Sequence, residues 1–251
     1  MASPDSNADD SQVCEFILPD TSKLEAMAEF AAGAGHEINN PLATIIGRAQ
    51  LLLKDERDPQ RRQMLLSIGA QAYRIRDMIG DAMLFGRPPV PELQSMDLAI
   101  AVAAVVRQQA DALGTESCTV TVDVATPLVL TADSTQVAIV LTELLRNSRQ
   151  ALQSVGGGEI QLRATSHGEF AVIEIEDHGQ GFTELERQRA FDPFFSGRQA
   201  GRGLGFGLSK CWRIVHQHGG RIAIETVPGG ATIVRVTWPL ANSTSGLSSR
   251  S

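Results

Sequence analysis

Apolar residues recur every three or four positions in a long first run of the chain, which begins near Thr21. Steps that alternate between three and four residues place an apolar stripe on one face of an α-helix, here sustained for about four heptads. At about 1.5 Å per residue, the predicted helix is roughly 45 Å long. The stripe consists of Leu24, Met27, Ala31, Ala34, Ile38, Leu42, Ile45, Ala49 and Leu52.

A second apolar stripe follows the charged segment KDERDPQ, which breaks the first helix with Pro59. Two long helices joined by a short turn form an antiparallel hairpin. Because each helix has one apolar stripe and little else to cover it, we expect two copies of the hairpin to form a four-helix bundle. The proline-rich GRPPVPE ends the second stripe, which consists of Leu65, Ile68, Ala72, Ile75, Ile79 and Ala82.

The pattern changes beyond the proline-rich segment, where shorter helical and alternating stretches follow one another. Asp133 is a good N-cap for a helix that runs to about residue 155, and an alternating hairpin turns at 167–168. Residues 183–202 show no clear period. Further helices are predicted over 97–112 and 204–218, strands over 118–124 and 128–133, and a last hairpin over 221–240.

These elements predict the domain organisation. A helical-hairpin domain, which is expected to dimerise, covers 21–87. A linker over 88–96 connects it to a mixed α+β domain over 97–241, and disordered tails occupy 1–20 and 242–251.

Composition and charge narrow the function classes. The net charge is −7 and no basic run is present, so nucleic acid or an anionic membrane surface is a poor partner. The longest apolar run, 98–106, is far shorter than the about 20 residues that span a bilayer. The polar N-terminus does not resemble a signal peptide. We therefore expect a soluble, cytoplasmic protein without membrane insertion.

The cysteines and the paired histidines do not indicate metal or disulfide chemistry. Cys14, Cys118 and Cys211 lie about a hundred residues apart, which is neither a metal spacing nor a disulfide framework. His216 and His218 lie two residues apart on a predicted helix and so face different ways. We interpret both histidines as polar residues at a helix end.

The strongest local anomaly lies in the first helix, in the sequence HEINNPL. A proline in a helix interior costs roughly 3 kcal/mol, and Pro41 is expected to free the Glu37 carbonyl and bend the helix. His36 lies off the apolar stripe and is predicted to face solvent, where Glu37 could take a proton from its imidazole. Asn40 follows one turn later. The segment does not match the zinc motif H-E-x-x-H, since Asn40 replaces the second histidine. Such a local conflict favours a functional site over an idle surface histidine.

Two signals in the second half favour nucleotide chemistry. Glu143 and Asn147 lie four residues apart on one face of a predicted helix, where oxygen ligands can hold a hydrated Mg²⁺; a solvated helix face is the alternative. Asp177 ends an apolar strand and is followed by Gly179 and Gly181. A carboxylate there can accept the exocyclic amine of adenine, and the glycines let the base approach the backbone; an ordinary turn is the alternative.

A third signal combines a glycine-rich segment with a phenylalanine-rich one. Gly203, Gly205 and Gly207 lead into a predicted helix, whose free N–H groups can bind an anion. The glycine spacing and the lack of a preceding strand exclude the dinucleotide-binding fingerprint. The preceding loop is predicted to be a movable lid with hydrophobic latches, which are Phe191, Phe194 and Phe195.

The order of these motifs resembles the two-component sensor histidine kinases. HEINNPL is similar to their H-box, ELLRNS to their N-box, DHGQGF to their first glycine box, FDPFF to their F-box and GLGFGLS to their second glycine box. The resemblance covers 21–241. It implies a dimerisation and histidine-phosphotransfer hairpin followed by a GHKL-type α/β sandwich that binds ATP.

The resemblance also implies roles for individual residues. His36 would accept the phosphoryl group, Glu37 would assist as base, and Asn40 would position a water that dephosphorylates the response regulator. Asn147 would bind Mg²⁺ and Asp177 adenine. The remaining ATP-binding residues would be Gly179, Gly181, Phe182, Gly203, Leu204, Gly205 and Gly207. The partners implied are a second copy of the chain, the receiver domain of a response regulator, and a sensor in a separate protein or in a longer chain.

Two positions depart from the family pattern. Glu143 stands where most of these kinases have Asn, so it is assigned either to Mg²⁺ or to catalysis. Arg198 or Arg202 would meet the γ-phosphate from the lid, where many relatives have lysine. A GHKL Ser/Thr-type kinase or ATPase that uses Glu143 as general base is the main alternative, and a non-catalytic scaffold is a second one.

Overall fold

A hairpin of two long helices opens the structure, a computed structural model that describes residues 21–115, 117–195, 205–226 and 230–241. Helix α1 (Thr21–Asp55) and helix α2 (Pro59–Gly86) are joined by a three-residue turn over 56–58. Asp58 caps α2 by accepting hydrogen bonds from backbone N–H groups of its first turn, and Pro59 fills the first helical position. The predicted hairpin is therefore confirmed.

Only part of the predicted apolar stripe is buried between the two helices. Leu42 and Ala49 are buried, and Leu42 packs with Ile46 against Ala72 of α2. Ile46 lies outside the predicted stripe. Other stripe residues remain open on the single hairpin, and these are Ile38, Ile45, Leu52, Ile68 and Ile75. Among the helices described, none is long and apolar enough to cross a membrane.

The second half is a helix-and-sheet sandwich. Its helices are α3 (Leu98–Thr115), α4 (Ser134–Gln153), α5 (Glu184–Gln188) and α6 (Gly207–Gln217). The strands are β1 (Gln94–Asp97), β2 (Cys118–Val124), β3 (Val129–Ala132), β4 (Gly158–His167), β5 (Phe170–Asp177), β6 (Arg221–Thr226) and β7 (Thr232–Pro239). The central sheet has the order β2-β4-β5-β7-β6, with β2 and β4 parallel and the other pairs antiparallel.

The core of this domain lies between one face of the sheet and helices α3, α4 and α6. Alternate residues of β5 and β7 point inward, and Trp238 and Val236 are completely buried among helix residues such as Leu144 and Ile214. The opposite sheet face is polar, and Arg235 there forms ion pairs with Glu174 and Glu225. One face apolar and one face polar is the pattern expected of a sheet covered on one side.

Two short elements differ from the sequence prediction. Strand β1 covers the last three residues of the predicted linker 88–96 and the residue after it. It pairs antiparallel with β3. Helix α5 occurs in a segment without a clear period, where Thr183 and Glu186 form a capping box. Both elements are too short for periodicity to reveal, and β1 depends on a partner more than thirty residues away.

His218 links the C-terminal end of α6 to the N-terminal end of α4. Its Nε2 accepts a hydrogen bond of 3.2 Å from the backbone N–H of Asp133, and its Nδ1 lies 2.9 Å from the carbonyl oxygen of Ile214. Because Nε2 is the acceptor, Nδ1 carries the proton and the ring is neutral. The prediction of a polar helix-end residue is confirmed, and Asp133 caps α4 as predicted.

This arrangement predicts a pH-dependent stability. Burial lowers the pKa of His218 below its ordinary value, although its contact with Ile214 and the charge of Asp133 oppose that shift. The unfolded chain then binds more protons than the folded chain, so the contribution of His218 is complete above about pH 6.5 and is lost as pH falls. We expect the free energy of unfolding to decrease from pH 7 to pH 5 less steeply in His218→Gln than in the natural sequence. Chemical denaturation at each pH measures this, and equal slopes would contradict it.

Candidate functional site

A cavity of about 250 Å³ lies where α2 meets the second domain. Helix α4 forms one wall, the loop after β5 and strand β7 form the inner end, and the loop before α6 forms another wall. Helix α2 closes the remaining side with Arg74 and Asp81. The cavity is therefore shared between the two predicted domains.

Asp177 lies at the inner end of the cavity, as the last residue of β5. Its side chain is only 3% exposed and accepts a 3.0 Å hydrogen bond from the backbone N–H of Gly179. Burial raises the pKa of Asp177 above its ordinary value, while hydrogen bonds from Ser148 and Gly179 oppose this. A buried carboxylate with few donors of its own is suited to accept a hydrogen bond from a ligand.

Asn147 lines the same cavity from α4, and its amide nitrogen is buried without a hydrogen-bond partner. Leaving a buried donor unpaired costs roughly 1–3 kcal/mol, so a polar ligand that accepts this bond would stabilise the site. The amide also offers an oxygen, the ligand type that Mg²⁺ prefers. The amide of Asn147 therefore fits a nucleotide with its cation.

Close backbone contacts explain two of the glycines. A Cβ on Gly179 would lie 2.5 Å from the Cβ of Ala151 on α4, and a Cβ on Gly205 would lie 2.4 Å from the backbone of Phe194. Gly205 also has a φ of +70°, which favours glycine. The loop after β5 and the loop before α6 can therefore approach their neighbours only with glycine at these positions.

Aromatic side chains surround the outer end of the cavity. Phe206 is buried and its ring centroid lies 4.6 Å from that of Phe194 and 6.3 Å from that of Phe85 on α2. Phe195 lines the cavity and lies beneath the guanidinium of Arg189. Phe191, predicted as a lid latch, is instead buried in the main core.

A cluster of charged side chains connects the middle of α4 to α6 and α2. Glu143 is 6% exposed; its Oε1 lies 2.9 Å from Nζ of Lys210, and its Oε2 pairs with Arg146. Lys210 is 5% exposed and its Nζ also lies 2.6 Å from Oδ1 of Asp81. Burial would lower the pKa of Lys210, but Glu143 and Asp81 outweigh it and hold that pKa above its ordinary value. Both oxygens of Glu143 are therefore occupied by cations.

The histidine segment lies on α1, which runs through Pro41 without interruption. Glu37 and Asn40 are exposed, whereas the placement of the His36 side chain lies outside the described structure. Gly35 is buried, and a Cβ there would lie 3.0 Å from the sulfur of Met83 on α2. Among the described residues, those of α1 do not line the cavity.

Two family models match the chain. One is the "His Kinase A (phospho-acceptor) domain", over 26–89, and the other is the "Histidine kinase-, DNA gyrase B-, and HSP90-like ATPase", over 132–242. The first covers the hairpin and the second most of the sandwich, in the order that the motifs predict. The chain belongs to the two-component sensor histidine kinases.

Sequence similarity to a curated histidine kinase supports this assignment. The chain is 31% identical over 225 residues to the signal transduction histidine-protein kinase AtoS of Escherichia coli K12, covering 87% of this chain and 36% of AtoS. It therefore spans about a third of the length of that relative.

Two solved structures share the fold. Full-length ShkA, in complex with AMPPNP, matches with a TM-score of 0.73 and 20% identity over 84% of this chain and 45% of that one. ThkA, in complex with the response regulator protein TrrA, matches with a TM-score of 0.61 and 22% identity over 87% and 63%. The predicted α+β fold, with a helical hairpin before an ATPase-type sandwich, is thereby confirmed.

The structure of this histidine kinase brings several of the predicted residues together. Six line the cavity, and these are Asn147, Asp177, Gly181, Phe182, Gly205 and Gly207. Gly179 supports it from behind, against Ala151. Glu143 lies beside the cavity within the charged cluster. Four others lie outside the described residues, namely Arg198, Arg202, Gly203 and Leu204.

Sequence reasoning missed the contribution of α2 to the site. Arg74, Asp81 and Phe85 are spaced by seven and four residues, so they lie on one helix face that meets the second domain. Their spacing is that of one helix face. However, they are a cation, an anion and an aromatic residue, so they do not form an apolar stripe that periodicity would reveal. Lys210, which directly follows the second glycine box, was also missed because charged residues at helix starts are common.

Proposed function

We propose that this chain is an ATP-dependent histidine kinase that phosphorylates itself on His36 and passes the phosphoryl group to an aspartate of a response regulator. The observation that carries the proposal is the cavity, in which buried Asp177 and the unpartnered amide of Asn147 lie next to the hairpin. The chain spans only part of its relatives, so the activity is assigned to these two domains. ATP as donor implies that these domains lie in the cytoplasm.

In this proposal ATP binds with its base at the inner end of the cavity. Asp177 accepts a hydrogen bond from the adenine amine, and Gly181 and Phe182 border the base. Gly205 and Gly207 face the phosphates. The family resemblance assigns Gly203 and Leu204 to ATP binding as well, and it assigns Arg198 or Arg202 to the γ-phosphate. Mg²⁺, when bound by Asn147 and the phosphates, would neutralise part of the phosphate charge. Glu143 remains a second candidate ligand, but its cation partners must first move away.

His36 supplies the nucleophile. An imidazole nitrogen forms a bond to the γ-phosphorus while the bond from that phosphorus to the β,γ-bridging oxygen breaks, which releases ADP. Glu37, the exposed neighbour of His36, accepts the ring proton. A carboxylate oxygen of the regulator then bonds to this phosphorus while its bond to the imidazole nitrogen breaks, which frees His36 again. Asn40 is exposed one turn later on α1. It positions the water that dephosphorylates the regulator.

The exposed stripe supports a homodimer. Ile38, Ile45 and Ile75 remain 39%, 43% and 42% exposed on the single hairpin. Apolar side chains at helical spacing on both helices would be buried by a second hairpin, giving the four-helix bundle. The ThkA–TrrA complex supports a receiver domain as the second partner. The input signal then comes from a sensor in a longer chain or in a separate protein.

The alternative in which Glu143 is a general base is not favoured. A base needs a free lone pair directed at the reacting group. Arg146 and Lys210 occupy the two oxygens of Glu143, and Glu143 is not among the residues that line the cavity. A Ser/Thr kinase or a simple ATPase built on this residue therefore lacks its catalytic group in this arrangement.

The chemical stability of the phosphoprotein tests the proposal. After incubation with γ-labelled ATP and Mg²⁺, we expect label on the chain that is lost in acid and retained in alkali, and that moves to a receiver domain when one is added. Acid-stable label would indicate a Ser/Thr kinase. Rapid release of phosphate without protein label would indicate an ATPase, and either result would refute the proposed function.

A further inference from the structure

The charged cluster crosses the boundary between the hairpin and the ATP-binding domain. Asp81 belongs to α2, Glu143 to α4 and Lys210 to α6, so Lys210 joins two residues that are 62 positions apart. Its Nζ lies 2.6 Å from Oδ1 of Asp81 and 2.9 Å from Oε1 of Glu143. The ammonium therefore connects the phosphoacceptor hairpin directly to the N-box helix.

The side chains of this bridge are largely buried, so each charge depends on its partner. Lys210 and Glu143 are 7% and 8% exposed at their side chains, and Asp81 is 22% exposed. A buried carboxylate or ammonium is tolerated only when it is paired, and loss of one partner leaves an uncompensated charge. Glu143, which departs from the asparagine common in this family, needs such a counter-charge, whereas an amide would not. Arg146 and Lys210 supply it.

The position of the bridge along α2 connects it to His36. Asp81 lies between Ile79 and Met83, the two residues that a Cβ on Gly35 would meet at 3.2 and 3.0 Å. Gly35 directly precedes His36. At 100° per residue, Asp81 lies on the opposite side of α2 from Ile79. One turn of α2 therefore faces the phosphoacceptor helix on one side and the ATP-binding domain on the other.

We propose that Lys210 is a positioning residue, which holds the ATP-binding domain against α2 through Asp81, keeps Glu143 oriented, and so sets the cavity at the level of His36. The inference rests on the proposed function for its catalytic consequence. The buried pair Phe85–Phe206 lies one helical turn further along the same face of α2 and reinforces the contact without charge.

The test uses the full chain with one interdomain distance. Spin labels on Ser67→Cys of α2 and Thr119→Cys of β2, both exposed positions, report the separation of the domains in a Cys14→Ser background. The remaining cysteines, Cys118 and Cys211, are buried. Labelled chain is diluted into an excess of unlabelled chain, so that distances within one chain are read.

The variants separate the bridge from general destabilisation. Asp81→Asn removes the negative charge of the interdomain partner and leaves Lys210 paired with Glu143, so it is the variant expected to fold. Lys210→Met removes both contacts, and the double variant tests whether the two act together. Asp77→Asn, one turn earlier on α2 and 61% exposed, is the matched control.

We expect a narrow distance distribution in the natural chain and in Asp77→Asn, and a broad one in Asp81→Asn and Lys210→Met, with no further change in the double variant. In Asp81→Asn, kcat for autophosphorylation should fall by about tenfold while KM for ATP stays within about twofold, a split that a merely structural role would not produce. An unchanged distance distribution or an unchanged kcat in Asp81→Asn would overturn the inference. The distance measurement needs no phosphoryl transfer, so it can fail or succeed independently of the proposed function.

Discussion

Replacing His36 with glutamine is expected to abolish transfer of label from γ-labelled ATP to the chain, a loss of about 100-fold or more relative to the natural sequence. Glutamine offers no nucleophilic nitrogen comparable to the imidazole lone pair, so the acceptor itself is removed. The position lies in α1 next to exposed Glu37, and α1 supplies none of the described residues that line the cavity. Affinity for ADP should therefore stay within about twofold.

The control for this variant is His167→Gln, which changes an exposed histidine at the end of β4. We expect it to retain full labelling. Equal labelling of His36→Gln and the natural chain would show that another residue accepts the phosphoryl group. Loss of ADP binding in His36→Gln would instead show that the variant disturbs the cavity.

Replacing Asp177 with asparagine is expected to weaken ADP binding by about 10- to 150-fold, since a hydrogen bond to a charged group contributes roughly 1.5–3 kcal/mol. The amide has nearly the same shape but is a weaker acceptor, and it can present its own donor to the adenine amine. The stability of the nucleotide-free chain should not decrease, because burial already raises the pKa of Asp177 and so disfavours its charged form.

The expected signature is therefore loss of nucleotide affinity without loss of stability. Calorimetric titration with ADP and thermal unfolding of the free chain measure the two quantities. Asp123→Asn, an exposed aspartate on β2 of the same sheet, is the matched control and should change neither. Undiminished ADP affinity in Asp177→Asn would remove the adenine contact from the account.

The fold could be predicted from the sequence where periodicity extends over several turns or strands. The hairpin helices and the Asp133 cap occur where the pattern indicates, and the β4–β5 turn at 168–169 lies one residue beyond its predicted position. The exposure of Ile45 beside buried Leu42 and Ile46 could not be predicted, because a single stripe does not say which part faces α2 and which part faces another copy. Strand β1 was also missed, because its pairing with a strand more than thirty residues away leaves no signal in its own four residues.

Some residues of the candidate site could be predicted from the sequence, and others could not. Asp177 and Asn147 belong to local motifs whose residue types indicate their chemistry, and both line one cavity. The bridge between Asp81 and Lys210 spans 129 positions, and nothing in either local sequence marks a buried ion pair. Phe191 belongs to a recognisable motif, yet it packs in the core together with Ala190. Local chemistry could therefore be read from the sequence, whereas contacts between domains required the structure.

The central claim, that this chain transfers the γ-phosphoryl group of ATP to His36, is tested most directly by locating the phosphoryl group. The chain is incubated with ATP and Mg²⁺, digested at alkaline pH to preserve phosphohistidine, and its peptides are fragmented in a mass spectrometer. The account predicts that the added phosphoryl mass falls on His36 in the peptide that contains HEINNPL. Phosphoryl mass on a serine, a threonine or another histidine would contradict it.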